Sequence, residues 1–122
     1  MSDTTHFFAM SGQPVCYSPD GEHLYLWDGN SVGYITNEKV YAYSGKLVGW
    51  FYNGWLYDQR NCPALFSEVA SGGPAKPAKR AKPAKAARGA RPAKGAKQAT
   101  PARPARSVSW SVFSSEAYFL QN

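Results

Sequence analysis

The residues best suited to catalysis or metal binding are two cysteines and two histidines, Cys16, Cys62, His6 and His23. A zinc site needs its ligands at characteristic short spacings, and these four residues match no such pattern. A cysteine nucleophile needs a contacting histidine and a third group that orients it, and nothing in the sequence indicates such a set. We therefore expect no metal, no cofactor and no catalytic residues.

The chemistry with a clear physical basis is cationic. Residues 74–106 contain eleven Lys or Arg, twelve Ala and six Pro, with no acidic residue, whereas residues 1–73 contain seven acidic and three basic residues. Cations that Ala and Pro hold apart can follow a polyphosphate backbone, and binding releases counterions whatever the base sequence. We expect non-specific binding of nucleic acid or another polyanion through Lys76, Lys79, Arg80, Lys82, Lys85, Arg88, Arg91, Lys94, Lys97, Arg103 and Arg106.

The same composition predicts that residues 71–106 are disordered. The basic stretch has no aromatic or large aliphatic residue, its charges repel one another, and its prolines interrupt any helix. Alternatives to polyanion binding are a plain spacer, an anionic membrane surface and an acidic protein partner.

Residues 107–122 form an aromatic C-terminal segment. Its first half alternates like a strand, and Ser114 or Ser115 could cap a short helical turn that runs to Leu120. We expect it to dock on the first domain, on another subunit or on a partner through Trp110, Phe113, Tyr118 and Phe119.

The element that must position these candidate residues is a sixteen-residue unit that occurs four times in residues 1–70. A repeat this short cannot fold alone, so its copies must pack on one another. Each copy reads as a β-hairpin, and a two-residue turn centred on Asp28-Gly29 would place Tyr25 opposite Val32. Four corresponding turn positions require a positive φ angle, and Gly12, Gly29, Gly45 and Asn61 occupy them.

A second class of turn joins the units. Asn53-Gly54 is a type I′ candidate, and Asn37-Glu38 occupies the same place one unit earlier. Gly33 and Gly49 share a mid-strand position, which favours a bend or close backbone approach.

The predicted fold is all-β, with about eight short antiparallel strands in a closed or nearly closed pseudo-fourfold arrangement. Closure would remove the exposed edges of the sheet. It would also bring the units that carry Cys16 and Cys62 together, so a disulfide is geometrically feasible. Strands that are apolar on both faces imply that the sheet folds over itself or that one face meets another copy in a homo-oligomer.

The tandem units, in which Tyr25-Leu26-Trp27-Asp28-Gly29 is the clearest stretch, are followed by the basic Ala/Pro tail and by Ser109-Trp110-Ser111. This organisation resembles the bacterial four-fold beta flower domain family over residues 7–67, and over the tail by composition. The resemblance implies the fold and implies no activity, catalytic residue or cofactor.

Two function classes follow for a non-enzymatic protein. One is a binding or assembly module whose tail binds a polyanion; the other is a self-assembling or protein-interaction domain whose tail is only a spacer. A third reading places a ligand pocket at the centre of the ring of hairpins. The start Met1–Thr4 has no signal-peptide character and no apolar stretch could span a bilayer, so we expect a cytoplasmic protein with reduced thiols.

Overall fold

The fold is seen in a computed structural model that describes residues 4–121. Residues 1–3 and Asn122, which fall within the expected ranges 1–70 and 107–122, lie outside the described part. The strands are β1 Thr5–Phe8, β2 Pro14–Ser18, β3 His23–Leu26, β4 Ser31–Thr36, β5 Lys39–Tyr41, β6 Leu47–Tyr52, β7 Trp55–Tyr57 and β8 Pro63–Ser67. A 3₁₀-helix spans Glu116–Leu120.

The strands form a closed antiparallel barrel in sequence order. β1 pairs with β8 through Phe7 opposite Ser67 and Phe8 opposite Phe66, which closes the ring. The hairpins β1–β2, β3–β4, β5–β6 and β7–β8 are units 1 to 4. The predicted all-β fold of four closed hairpins is therefore confirmed.

The expected register within the hairpins is wrong. Tyr25 pairs with Ser31 rather than Val32, and a bulge separates Leu24 from Tyr25. The turn is one residue longer than expected, because Leu26 N donates to Asn30 O at 2.9 Å and encloses three residues. A type I turn followed by a left-handed glycine makes such a loop, and it shares the Asp-Gly signature of the two-residue turn.

The turn residues adopt the backbone conformations that their types allow. Gly12, Gly29, Gly45 and Asn61, which we call the anchor residues, have φ values of 85°, 93°, 97° and 62°. Between units, Asn53 and Gly54 have φ values of 51° and 81°, and the corresponding Asn37 and Glu38 have 51° and 64°. Two successive positive values define the predicted type I′ turns.

The barrel interior is filled partly from outside the strands. Aliphatic side chains such as Leu24, Val40 and Leu56 pack around Tyr118 and Phe119 of the C-terminal segment. A Cβ atom at Gly49 would lie 2.6 Å from the Tyr118 hydroxyl, so this glycine leaves room for the inserted ring. The axis is thus occupied by side chains, which disfavours a central ligand pocket.

On the outer face of the barrel, each junction between two units carries a pair of aromatic rings. Neighbouring strands pair them in register, for example Tyr17 with Tyr25 and Tyr34 with Tyr41. We call this set the aromatic belt: Phe8, Tyr17, Tyr25, Tyr34, Tyr41, Trp50, Tyr57 and Phe66. All eight are buried although they point outward, so another part of the chain must cover them.

Within residues 4–121, no helix has the length and apolar character needed to cross a bilayer.

Candidate polyanion-binding tail

The covering element is the basic tail, residues 74–106. As expected of a chain rich in proline, this described stretch contains neither helix nor strand. Rather than extending freely into solvent, it runs around the barrel and contacts all four units in turn. This path differs from the expected disorder because the barrel supplies acceptor carbonyls for N–H groups of the tail and ring faces for its cations.

The tail has its own repeat, which the sequence analysis missed. Residues 74–82, 83–91, 92–100 and 101–109 align as four nine-residue copies of the pattern Pro-Ala-cation-x-Ala-cation-x-x-x. The four prolines at the first position, nine residues apart, were the available signal. The tail therefore has one repeat for each barrel unit.

Backbone hydrogen bonds fix this correspondence. The seventh residue of each tail repeat donates its N–H to an anchor carbonyl: Arg80 to Gly12 at 2.9 Å, Gly89 to Gly29 at 2.9 Å, Gln98 to Gly45 at 2.8 Å and Ser107 to Asn61 at 3.0 Å. The fourth residue adds a second bond where it has an N–H, from Ala86 to Trp27 O and from Gly95 to Tyr43 O. In the outer repeats this residue is Pro77 or Pro104, which has no N–H to donate.

The cations of the tail lie over the aromatic belt with the same nine-residue period. At the third position, Lys85, Lys94 and Arg103 lie 4.7, 4.4 and 5.2 Å from the ring centroids of Tyr17, Tyr34 and Trp50. At the sixth position, the cation-to-centroid distances are 6.0 Å for Lys79 and Phe66, 5.7 Å for Arg88 and Tyr25, 5.9 Å for Lys97 and Tyr41, and 5.7 Å for Arg106 and Tyr57. Each such contact contributes about 0.5–1 kcal/mol at an exposed site.

Three tail cations also meet carboxylates of the barrel. Lys82 Nζ donates to Glu68 at 3.3 Å and Lys94 Nζ donates to Glu22 at 3.1 Å. Arg91 Nη1 lies 3.9 Å from Asp20 Oδ2. The acidic barrel and the basic tail thus neutralise each other only in part.

His6 links the tail to the barrel. Its Nδ1 lies 2.9 Å from Glu68 Oε2, and its Nε2 lies 2.9 Å from Lys85 Nζ. An ammonium group can only donate, so Nε2 accepts, Nδ1 carries the proton and the imidazole is neutral. Burial lowers the pKa of His6 despite the neighbouring carboxylate. Burial opposes ionisation of Glu68, but hydrogen bonds from His6 outweigh it and lower the pKa of Glu68.

The C-terminal segment docks on the same chain. Trp110 packs edge-on against Trp55, with ring centroids 5.4 Å apart, and Tyr118 donates its hydroxyl to Tyr57 O at 2.8 Å. The expected helical turn is the 3₁₀-helix, with Ser115 as its N-cap, whereas the strand-like alternation before it forms no strand. Phe113 is only partly buried and lines a surface cleft.

The remaining candidate groups are dispersed. Cys16 is buried and Cys62 is partly buried, and both are free thiols. Burial raises the pKa of Cys16 far above its ordinary value, which makes it an unreactive thiol. Among the described residues, no three His, Cys, Asp or Glu side chains come together in a way that could hold a metal ion.

A family model described as 4-fold beta flower protein matches residues 5–119, a range that includes the whole basic tail and all but the last residue of the 3₁₀-helix. No curated protein and no solved structure matches the chain.

Proposed function

This chain belongs to the 4-fold beta flower family, and we propose that it is a non-enzymatic binding module whose basic tail binds nucleic acid or another polyanion without sequence specificity. The observation that carries the proposal is the exposure of the cations. All eleven Lys and Arg residues of the tail are exposed even though the tail lies on the barrel. Only Lys82, Arg91 and Lys94 have a carboxylate within 4 Å among the described residues, which leaves eight cations without one.

The docked path of the tail supports binding of a polyanion while the tail stays on the barrel. A cation that lies over a ring on one side can still meet a phosphate on its solvent side. Because the barrel already orders the tail, binding would not require the chain-ordering entropy that a disordered tail loses. We also propose that the protein acts in the cytoplasm, where nucleic acid is accessible and its free thiols would stay reduced.

The test is fluorescence anisotropy of labelled DNA duplexes of unrelated sequence, across a salt series. The variant Lys76→Gln/Arg80→Gln removes two cations whose side chains make no ion pair or cation–π contact with residues 4–121. We expect wild type to bind both duplexes alike. The slope of log affinity against log salt should be shallower in the variant by up to about two units.

The matched control is Lys39→Gln/Lys46→Gln, which lowers the net charge of +6 by the same two units but lies outside the tail. It should leave the slope close to wild type. If both double variants change the slope equally, the tail is not the binding element. If wild type fails to bind at low salt, the proposal is wrong.

A second candidate function, self-assembly or protein interaction, is favoured by exposed apolar side chains of the C-terminal segment. Val112 is 90% exposed and Leu120 is 77% exposed. Light scattering in the same buffers distinguishes the two: a chain that self-associates and ignores DNA would favour this candidate.

A further inference from the structure

The cleft lies where the C-terminal segment crosses the turn of unit 4. The turn contributes Asp58, Arg60 and Cys62, and the segment contributes Trp110, Phe113 and Leu120. Its volume is about 430 Å³, within the usual range for small-molecule sites. A smaller cleft of about 170 Å³ borders the turn of unit 3 at Lys46, where the segment does not form a wall.

Asp58 makes the unit 4 turn different from the other three. The corresponding residues of units 1 to 3 are Ala9, Leu26 and Ala42, all apolar. Asp58 is 2% exposed, and its Oδ1 accepts the N–H groups of Arg60 and Cys62 at 2.9 Å each. Its Oδ2 accepts the hydroxyl of Ser111, which fastens the wall of the cleft. The carboxylate is therefore engaged internally, and its charge faces these donors.

Arg60 supplies the free charge of the cleft. Its guanidinium makes no ion pair, side-chain hydrogen bond or cation–π contact with residues 4–121, although its backbone N–H is held by Asp58. A guanidinium matches a carboxylate through two parallel hydrogen bonds. The facing wall is mostly apolar and aromatic, with Trp110, Val112, Phe113 and Leu120 beside the polar Ser111 and Gln121. Its apolar part would accommodate a ring or a short hydrocarbon chain.

We propose that this cleft binds a small apolar carboxylate, with its carboxylate on Arg60 and its apolar part against Trp110, Phe113 and Leu120. The site is separate from the polyanion-binding residues proposed above, since Arg60 lies outside the tail. Cys62 lines the cleft and provides a built-in reporter, because Cys16 is fully buried and will not react.

The experiment measures the rate at which iodoacetamide alkylates Cys62 in the full chain, by mass spectrometry. The probes are 1-naphthoate and its neutral counterpart 1-naphthalenemethanol. We expect 1-naphthoate to slow alkylation saturably, and the neutral compound to bind about tenfold or more weakly, because it cannot form the charged pair with Arg60.

Arg60→Gln should abolish the preference for the anion, whereas Lys46→Gln, at the equivalent turn of unit 3, should leave it unchanged. Circular dichroism and the alkylation rate without ligand show whether each variant is folded. Equal protection by both compounds, an unchanged preference in Arg60→Gln, or no protection at millimolar 1-naphthoate would each overturn the proposal. So would protection that follows protein concentration, since a second copy would then cover the cleft.

Discussion

Replacing Gly45 with alanine should lower the free energy of unfolding far more than replacing Gly21 with alanine, although both glycines have positive φ angles. The values are 97° for Gly45 and 81° for Gly21, so a Cβ atom strains either backbone by about 1–2 kcal/mol. At Gly21 nothing lies within 4 Å of the added atom. At Gly45 the added atom would collide with the carbonyl oxygen of Ala96 in the tail, so the tail must move away.

The magnitude follows from what that movement breaks. Gln98 N donates to Gly45 O at 2.8 Å and Gly95 N donates to Tyr43 O at 2.7 Å, and each bond is worth about 0.5–1.5 kcal/mol. The contact of Lys97 with the belt adds about 0.5–1 kcal/mol. Gly45→Ala should therefore cost about 1.5–4 kcal/mol more than Gly21→Ala.

Thermal unfolding by far-UV circular dichroism, supported by urea titrations followed by tryptophan fluorescence, measures the difference. At roughly 4 °C per kcal/mol, Gly21→Ala should lower Tm by about 4–8 °C, and Gly45→Ala should lower it by about 6–16 °C more. Trypsin should also cleave at Lys94 and Lys97 faster in Gly45→Ala, because the released tail is accessible. Equal losses of stability in the two variants, with equal cleavage, would refute the docking of the tail on this anchor.

The remaining predictions concern pH and the filled interior. Lowering the pH should reduce the free energy of unfolding, because the unfolded chain binds protons more readily than the folded chain at both His6 and Glu68. The first loss should occur as pH falls through 6.5 and the second as it falls through 4.5, the ordinary pKa values of the two groups. Urea titrations at about pH 7.5, 5.5 and 3.5 measure both steps, and His6→Gln should remove the first; equal stability at all three pH values would contradict this. Tyr118→Phe should cost about 1 kcal/mol by loss of one hydrogen bond, and Phe119→Ala should cost about 3–5 kcal/mol by leaving a cavity. A Phe119→Ala variant as stable as wild type would show that this ring does not fill the barrel.

The barrel could be predicted because its signals are local. Glycine or asparagine at four equivalent turns, with alternating apolar residues between them, specifies hairpins, and closure of the four hairpins removes the exposed edges of the sheet. The register could not be predicted at Tyr25, because Asp28-Gly29 suits both a two-residue and a three-residue loop. The local sequence does not distinguish these loops. In the structure the three-residue loop occurs together with a bulge beside Leu24.

The docking of the tail could not be predicted from its composition. Composition predicts disorder when a segment has too few apolar side chains to form a core by itself, and the tail has none large enough to do so. Its partners are ring faces and carbonyl groups of a barrel that is distant in sequence. Asp58 poses the same difficulty, because the hydroxyl that explains its burial belongs to Ser111, 53 residues later.

The insertion of Tyr118 and Phe119 into the barrel has a consequence for synthesis of the protein. Strand β8 ends at Ser67, so about 50 further residues must be translated before the rings that complete the interior exist. At about 5–20 residues per second, this leaves a window of several seconds in which the interior of the nascent barrel lacks the rings that fill it. A ribosome that stalls within the lysine and arginine codons would hold the chain in that state, where chaperones and aggregation compete for it.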